Sequence, residues 1–197
     1  MSSPQVGTPP AQGADGAWIK MFNGKDLAGW KALQNPEVWT VKDGAIVGRH
    51  TASVGDDWLV NLLFYTKAQL RDGEFKAELK LNPGGISSMY FRAQLAPGFA
   101  PAYIAQANNT GPNPRRTGSL YNFVDVFAQL VPDDTWWTQH VIVRGNHIRI
   151  LVDGTEVVNF VDADHTHTEG YLALLHYLPG SMVQVRNVMM RPLSPAP

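Results

Sequence analysis

Glu74-Phe75-Lys76-Ala77-Glu78-Leu79-Lys80-Leu81 alternates charged and apolar residues without a break. A strand turns successive side chains to opposite faces, so Phe75, Ala77, Leu79 and Leu81 share one face as core. The charged residues then share the other, solvated face. The same period of two recurs outward from this stretch, in Val141 and Val143, in Ile148, Ile150 and Val152, and in Val183 and Val185. Between these runs stand hairpin signals, Asp43-Gly44, Gly145-Asn146 and Asp153-Gly154, while Asp72-Gly73 opens the first stretch. Near the end the parity slips from Val183 and Val185 to Val188 and Met190, which predicts a bulge near Arg186-Asn187.

No window carries a long amphipathic helix with a cap at each end, which argues against a nucleotide bound at a strand-to-helix crossover. The expected strands are about Trp18 to Phe22, Trp39 to Val41, Ala45 to Gly48, Leu59 to Leu63, Glu74 to Leu81, Ser88 to Gln94, Tyr103 to Ala107 and Leu120 to Val124. They continue with Thr135 to Arg144, His147 to Val152, Glu156 to Phe160, Tyr171 to His176 and Met182 to Met190. So many short strands suit an all-β fold, two antiparallel sheets packed as a β-sandwich. Irregular stretches are expected at Gln94 to Pro101, Asn108 to Thr117 and Phe127 to Asp134.

Composition narrows the function classes. Sixteen Lys and Arg against 17 Asp and Glu leave a net charge of −1, which argues against a nucleic-acid or anionic-membrane partner. The absence of cysteine excludes thiolate catalysis, Cys-ligated zinc and disulfides. No apolar stretch reaches the ~18 residues of a membrane-spanning helix. Residues 1–14, with Pro4, Pro9 and Pro10, read as a flexible leader, residues 15–193 as one sandwich domain, and 194–197 as a disordered tail. A polar, Pro-rich start also fits a chain from which an export signal has been removed, so a periplasmic or secreted location is expected.

Several residues carry candidate chemistry. Glu74 and Glu78 share a face but alternate with Lys76 and Lys80, which reads as a solvated surface and not as a glycosidase pair. Asp56-Asp57 and Asp133-Asp134 are turn carboxylates beside Trp58 and Trp136-Trp137, able to touch a sugar but common in turns for their own sake. Asp162, Asp164, His165, His167 and Glu169 crowd one loop. A polar loop before a strand would look the same, so no metal ligand is assigned and no cofactor is required, with a divalent cation left open. His176 lies in a nearly all-apolar strand, where an imidazole needs either a hydrogen-bond partner or a cleft. Arg92 interrupts another interior strand, so its guanidinium should reach a carboxylate or a pocket. Arg115 and Arg116 follow an amide-rich loop that fits either sugar hydroxyls or a stiff surface excursion.

Met21-Phe22-Asn23-Gly24-Lys25-Asp26-Leu27-Ala28-Gly29-Trp30 and Trp39-Thr40-Val41-Lys42-Asp43-Gly44-Ala45-Ile46-Val47-Gly48 resemble the opening of the 3-keto-disaccharide hydrolase family. The likeness continues through Gly85 to Arg92, Thr117-Gly118-Ser119-Leu120-Tyr121, Trp136 to Ile148, Val152-Asp153-Gly154, Leu175-His176 and Val185-Arg186-Asn187-Val188, covering about residues 17 to 193. The resemblance implies a concanavalin A-like jelly roll, often exported by bacteria, that acts on glycosides oxidised to a ketone at C3. It maps His176 as acid or base, Arg92 as a clamp for the enolate or a substrate carboxylate, and Tyr121 as a proton donor. Two departures make the chain less polar than the family pattern: Ile104 stands where members carry Glu, and Leu174 where many carry Gln. The rival expectation is a non-catalytic carbohydrate-binding module with Asp57, Trp58, Tyr103, Gln106, Asn108, Asn109 and Arg116 in its cleft. A classical glycanase is disfavoured, because no strand carries a closely spaced Glu/Asp series, and the Glu74 and Glu78 pair is interleaved with lysines on a solvated face.

Overall fold

In the computed structural model, which describes residues 15–50 and 60–195, the stretch that alternates most cleanly becomes the central strand of the larger of two sheets. The strands are β1 (Ile19–Lys20), β2 (Trp30–Ala32), β3 (Trp39–Lys42), β4 (Ala45–Arg49), β5 (Val60–Leu70), β6 (Gly73–Leu81) and β7 (Ile86–Ala93). They continue as β8 (Tyr103–Asn108), β9 (Trp137–Arg144), β10 (His147–Val152), β11 (Thr155–Val161), β12 (Gly170–Tyr177) and β13 (Met182–Pro192). The eight-stranded sheet runs β11-β10-β9-β6-β13-β4-β3 with β1 against β13, and the five-stranded sheet runs β2-β5-β12-β7-β8. The pairings between these strands are antiparallel. The expected sandwich is what forms. No described helix is long and apolar enough to cross a membrane.

The core lies between the sheets. From the large sheet come Phe75, Ala77, Leu79, Leu81, Val141, Val143, Ile148, Ile150, Val183 and Val185, and from the small one Leu63, Met89, Phe91, Ala105, Ala107, Leu172 and Leu174. Each large apolar side chain removed from water there contributes roughly 1.5–3 kcal/mol. Asp43-Gly44 and Asp153-Gly154 close two-residue hairpins with positive φ at both positions, 50° and 74° in the first and 48° and 80° in the second. The parity slip near Arg186-Asn187 is a real bulge, with register lost between Arg186 and Met189 and Asn187 at φ 51°.

The outer face of β6 departs from the solvated surface expected of it. Trp18 lies between Lys76 and Arg191, with the cations 4.6 and 5.0 Å from its ring centre, and Trp136 lies between Lys80 and Arg186 at 5.1 and 4.1 Å. Glu74 is 95% shielded beneath this layer, where it pairs with Arg191 and, at 2.6 Å, with His140. Its charge is consumed by these partners, so Glu74 and Glu78 form no catalytic pair. β2 and the second half of β5 were not expected, and the strand expected at Leu120 to Val124 is a turn with isolated bridges. Ser194, assigned to a frayed tail, is tied to Asp15 and Arg144. The expected leader, residues 1–14, lies outside the described residues, as do Asp57 and Trp58.

Candidate functional site

Alternation in β7, β8 and β12 gives the five-stranded sheet a second buried face, turned away from the core. Leu62, Phe64, Tyr90, Ala173 and Leu175 pack there beneath Ala100 from the β7–β8 loop. Next to this cluster, Ile86, Ser88, Tyr90, Ile104, Gln106, Leu175 and Tyr177 join Phe99, Asn113 and Tyr121 around a hollow of about 80 Å3. Ser88 Oγ is hydrogen-bonded to Gln106 Oε1 at 3.0 Å. The Tyr90 hydroxyl is buried and has no hydrogen-bond partner among the described residues. Burial pushes its pKa far up, reinforced by the neighbouring Tyr121 and Tyr177 phenols, so it stays protonated at any physiological pH. It is a neutral, buried donor.

A second hollow of about 340 Å3 adjoins the first across Ile104, and both share Phe99, Ile104 and Tyr121. Its remaining walls are Ala100, Pro101, Ala102, Asn122 and His167. No carboxylate lines either hollow among the described residues.

The Thr117 to Tyr121 motif sets Tyr121 in place. Gln106 and Ser119 pair through Gln106 N–H to Ser119 O, Tyr121 N–H donates to Ile104 O, and fully buried Leu120 anchors the turn in the core. Tyr121 follows that anchor and so lies at the cleft. The Arg115 guanidinium, fixed by Asp125 at 2.7 Å, sits 4.8 Å from the Tyr121 ring centre.

Of the residues expected to act, Tyr121 and Gln106 line the cleft, whereas His176 and Arg92 do not. His176 shares the parity of Leu172 and Leu174, so it points between the sheets. It is 1% exposed, its Nε2 donates to Ser181 O at 3.1 Å, and its Nδ1 has no partner among the described residues. Burial pushes its pKa down to about 4. The expectation that this imidazole meets a ligand in a cleft is therefore corrected.

Arg92 is turned off the sheet by a bulge, with Tyr171 opposite Ala93 but Ala173 opposite Tyr90, and with φ of 51° at Arg92 itself. Its guanidinium donates to the carbonyls of Arg71, His167 and Gly145 and to Asp72 Oδ1 at 3.2 Å. With those donors engaged, Arg92 clamps loops together at one end of the sandwich and is not free to hold an enolate.

The amide-rich loop also spends its polar groups on itself. Asn108 Nδ2 donates to Asn113 O and Arg115 O, Asn109 bonds Pro132 O and Thr117 Oγ1, and Arg116 donates to Gly111 O and Asn113 O. These three residues, expected to touch sugar, instead hold the loop's shape. Tyr103 faces the core, where its hydroxyl donates to Asp162. Burial alone would raise the Asp162 pKa, but bonds from Tyr103 and from the Thr166 and Asp164 N–H groups outweigh it and hold the value at about 2. In the Asp162 to Glu169 loop, then, Asp162 is an inward anchor. No group of three or more His, Asp or Glu residues among the described ones is placed to hold a metal ion.

The cleft residues missed from sequence are Ser88, Tyr90, Phe99, Asn113, Tyr177 and, as a wall, His167. Parity along β7 and β12 was the available signal for Ser88, Tyr90 and Tyr177. His167 stands edge-on to the Tyr103 ring, with centroids 4.9 Å apart, and burial is the main cause of its lowered pKa.

Two antiparallel sheets packed face to face, with an aromatic cleft on the outer face of the smaller one, define a concanavalin A-like β-sandwich. Residues 17–191 match the family model of the 3-keto-alpha-glucoside-1,2-lyase-like domain, and the chain belongs to that family. No curated protein matches the chain. Among solved structures, a candidate glycosyl hydrolase from Parabacteroides distasonis superposes with a TM-score of 0.72 at 20% identity, over 90% of this chain and 94% of that one. A family GH16 endo-β-1,3(4)-glucanase gives 0.61 at 14% identity, over 96% and 94%. A carbohydrate-binding module from Bacillus subtilis gives 0.58 at 13% identity, over 82% and 94%. At such identities these likenesses bear on fold alone.

Proposed function

We propose that this protein binds a glycoside carrying a ketone at C3 and releases its aglycone by elimination. The observation that carries the reading is the buried Tyr90 hydroxyl, without a partner among the described residues, in a cleft that no described carboxylate lines, within a family of lyase-like domains. A C3 ketone acidifies the C2 proton, so one base suffices. The base takes that proton, the electron pair is held as an enolate on the C3 oxygen, and its return forms the C1–C2 double bond as the C1–O bond breaks. The departing oxygen takes a proton, and later addition of water across the double bond gives net hydrolysis.

In this assignment Tyr90 donates to the C3 oxygen, a bond that strengthens as charge develops. Tyr121 donates to the leaving oxygen. His167, kept unprotonated near neutrality chiefly by burial, is the imidazole lining this groove that can accept the C2 proton. Arg92, Asp162 and Tyr103 position its loop, since Arg92 donates to His167 O and the His167 N–H donates to the Tyr103 hydroxyl.

The test is aglycone release from matched 3-keto and unoxidised glucosides. Release that needs both the protein and the ketone supports the proposal; equal cleavage of the unoxidised substrate, or no release at all, overturns it. Equal rates for wild type and His167→Ala would remove His167 from the mechanism. A second reading, a binding module without turnover, is favoured by Ile104, an apolar residue on the ridge where the family resemblance leads one to expect a carboxylate. Saturable binding of unoxidised sugar with no turnover of either substrate would select it.

A further inference from the structure

The two hollows on either side of Ile104 differ in chemistry. The first offers Ser88, Tyr90, Gln106, Asn113, Tyr121 and Tyr177 as polar side chains, suited to a hydroxylated ring. The second is walled by Phe99, Ala100, Pro101 and Ala102, with Ile104 as its ridge. Among the described residues, only Tyr121, Asn122 and His167 provide polar side chains there.

Its wall is built before any ligand arrives. Gln94 N–H donates to Pro101 O at 3.0 Å, and Gly98 N–H donates to Gln34 Oε1 at 2.8 Å, tying the loop to its base and to the neighbouring β2 end. Phe99 is thereby held edge-on to Tyr177, with centroids 5.6 Å apart, yet remains 63% exposed. A large aromatic ring so fixed and so exposed lacks a partner for one face among the described residues. A second sugar in this hollow would give up water around its hydroxyls against alanine and proline, with few groups to replace it.

We infer that the second hollow is an aglycone subsite for a planar, apolar group, making aryl glycosides the preferred substrates over disaccharides. This rests on the elimination proposed above for the same cleft. The sugar occupies the Tyr90 hollow, the aryl ring lies against Phe99 and Pro101, and the scissile C1–O bond spans the Ile104 ridge beside Tyr121.

The experiment compares phenyl, methyl and glucosyl 3-keto-glucosides by kcat/KM. In parallel it measures, without turnover, the Kd of unoxidised phenyl and methyl glucosides by calorimetry. The phenyl ligand should bind about tenfold more tightly than the methyl one, and Phe99→Ala, a change at an exposed loop tip, should bring that Kd ratio toward one and lower the phenyl-to-methyl ratio of kcat/KM by the same factor, the leaving-group advantage of phenol being common to both proteins. Turnover of all three 3-keto substrates with phenyl-to-methyl ratios that Phe99→Ala leaves unchanged overturns this inference and leaves the elimination standing. No turnover, but a phenyl preference in Kd that Phe99→Ala erases, upholds the subsite and overturns the elimination. Neither turnover nor preference overturns both.

Discussion

His176 gives the sharpest test of how the strand faces are assigned. Its imidazole is buried between the sheets, bonded through Nε2 to Ser181 O and placed across from Asn61 and Ser87 on the flanking strands. In the unfolded chain it protonates near 6.5, whereas in the native protein burial delays protonation to about 4. Between those values the unfolded state binds the extra proton, so the stability contributed by the neutral form is complete above pH 6.5 and is lost as pH falls. At about 1.4 kcal/mol per pH unit, the loss from this residue reaches about 3 kcal/mol by pH 4. The perturbation is His176→Gln, which keeps a side-chain donor for Ser181 O and removes the titration. Urea unfolding followed by tryptophan fluorescence, repeated from pH 7.5 to pH 4, gives the stability difference between wild type and variant. That difference should shrink by about 3 kcal/mol over the range, because the wild type alone carries the penalty. A difference that stays constant with pH would refute the burial argument. Loss of aglycone release in a variant that remains folded would return His176 to the chemistry.

Tyr90→Phe removes a buried hydroxyl that has no partner among the described residues, so urea unfolding should show the variant equal to wild type or more stable, by about 1 kcal/mol. Titration calorimetry should show sugar affinity falling roughly tenfold, the two effects moving in opposite directions. Asp162→Asn weakens the bond from the Tyr103 hydroxyl and the anchoring of the loop, costing about 1–3 kcal/mol in denaturant unfolding. Because the Asp162 pKa is depressed to about 2, its contribution is present above 3.8 and lost below it, so the variant's stability curve should be flatter under pH 4. With His167 as base and its pKa lowered, the acid limb of kcat/KM should lie below pH 6.5; a limb unchanged in His167→Gln would assign the base elsewhere. Ile104→Glu places a carboxylate on the ridge between the hollows, and should lower the phenyl-to-glucosyl preference severalfold in competition kinetics.

Where one face of a strand is wet and the other dry, as along β6, β9 and β10, hydropathy shows the fold directly. It falls silent where both faces are buried. Asn61-Leu62-Leu63-Phe64-Tyr65 and Leu172-Ala173-Leu174-Leu175-His176 supply apolar residues to the core and to the cleft at once, so neither run reveals which residues face a ligand. Parity alone assigns His176 to the side of Leu174, but only after Leu174 is known to be core. Arg92 was harder still, because the bulge that carries it off the sheet depends on a left-handed backbone at a residue type with no preference for one. Asn108, Asn109 and Arg116 look alike in sequence whether they bind a sugar or fold their own loop; only the partners of their amides and guanidinium distinguish the two.

The same parity separates the two departures from the family pattern. Leu174 is fully buried in the core, so a leucine there is a packing choice with no bearing on the cleft. Ile104 stands on the ridge shared by both hollows, and the residues that β12 turns toward that side are Leu175 and Tyr177. Of the two departures, the apolar shift therefore falls on the cleft face at Ile104, and Leu175 and Phe99 extend it. No carboxylate among the described residues lines either hollow, so in the proposed elimination charge on the enolate would be met there by the fixed dipoles of Tyr90, Tyr121 and the Gln106 amide. Such dipoles act more strongly in a dry cleft than in water. An apolar aglycone would complete that exclusion of water, so the hydrophobic wall at Phe99 and the neutral donors at Tyr90 and Tyr121 are two parts of one requirement.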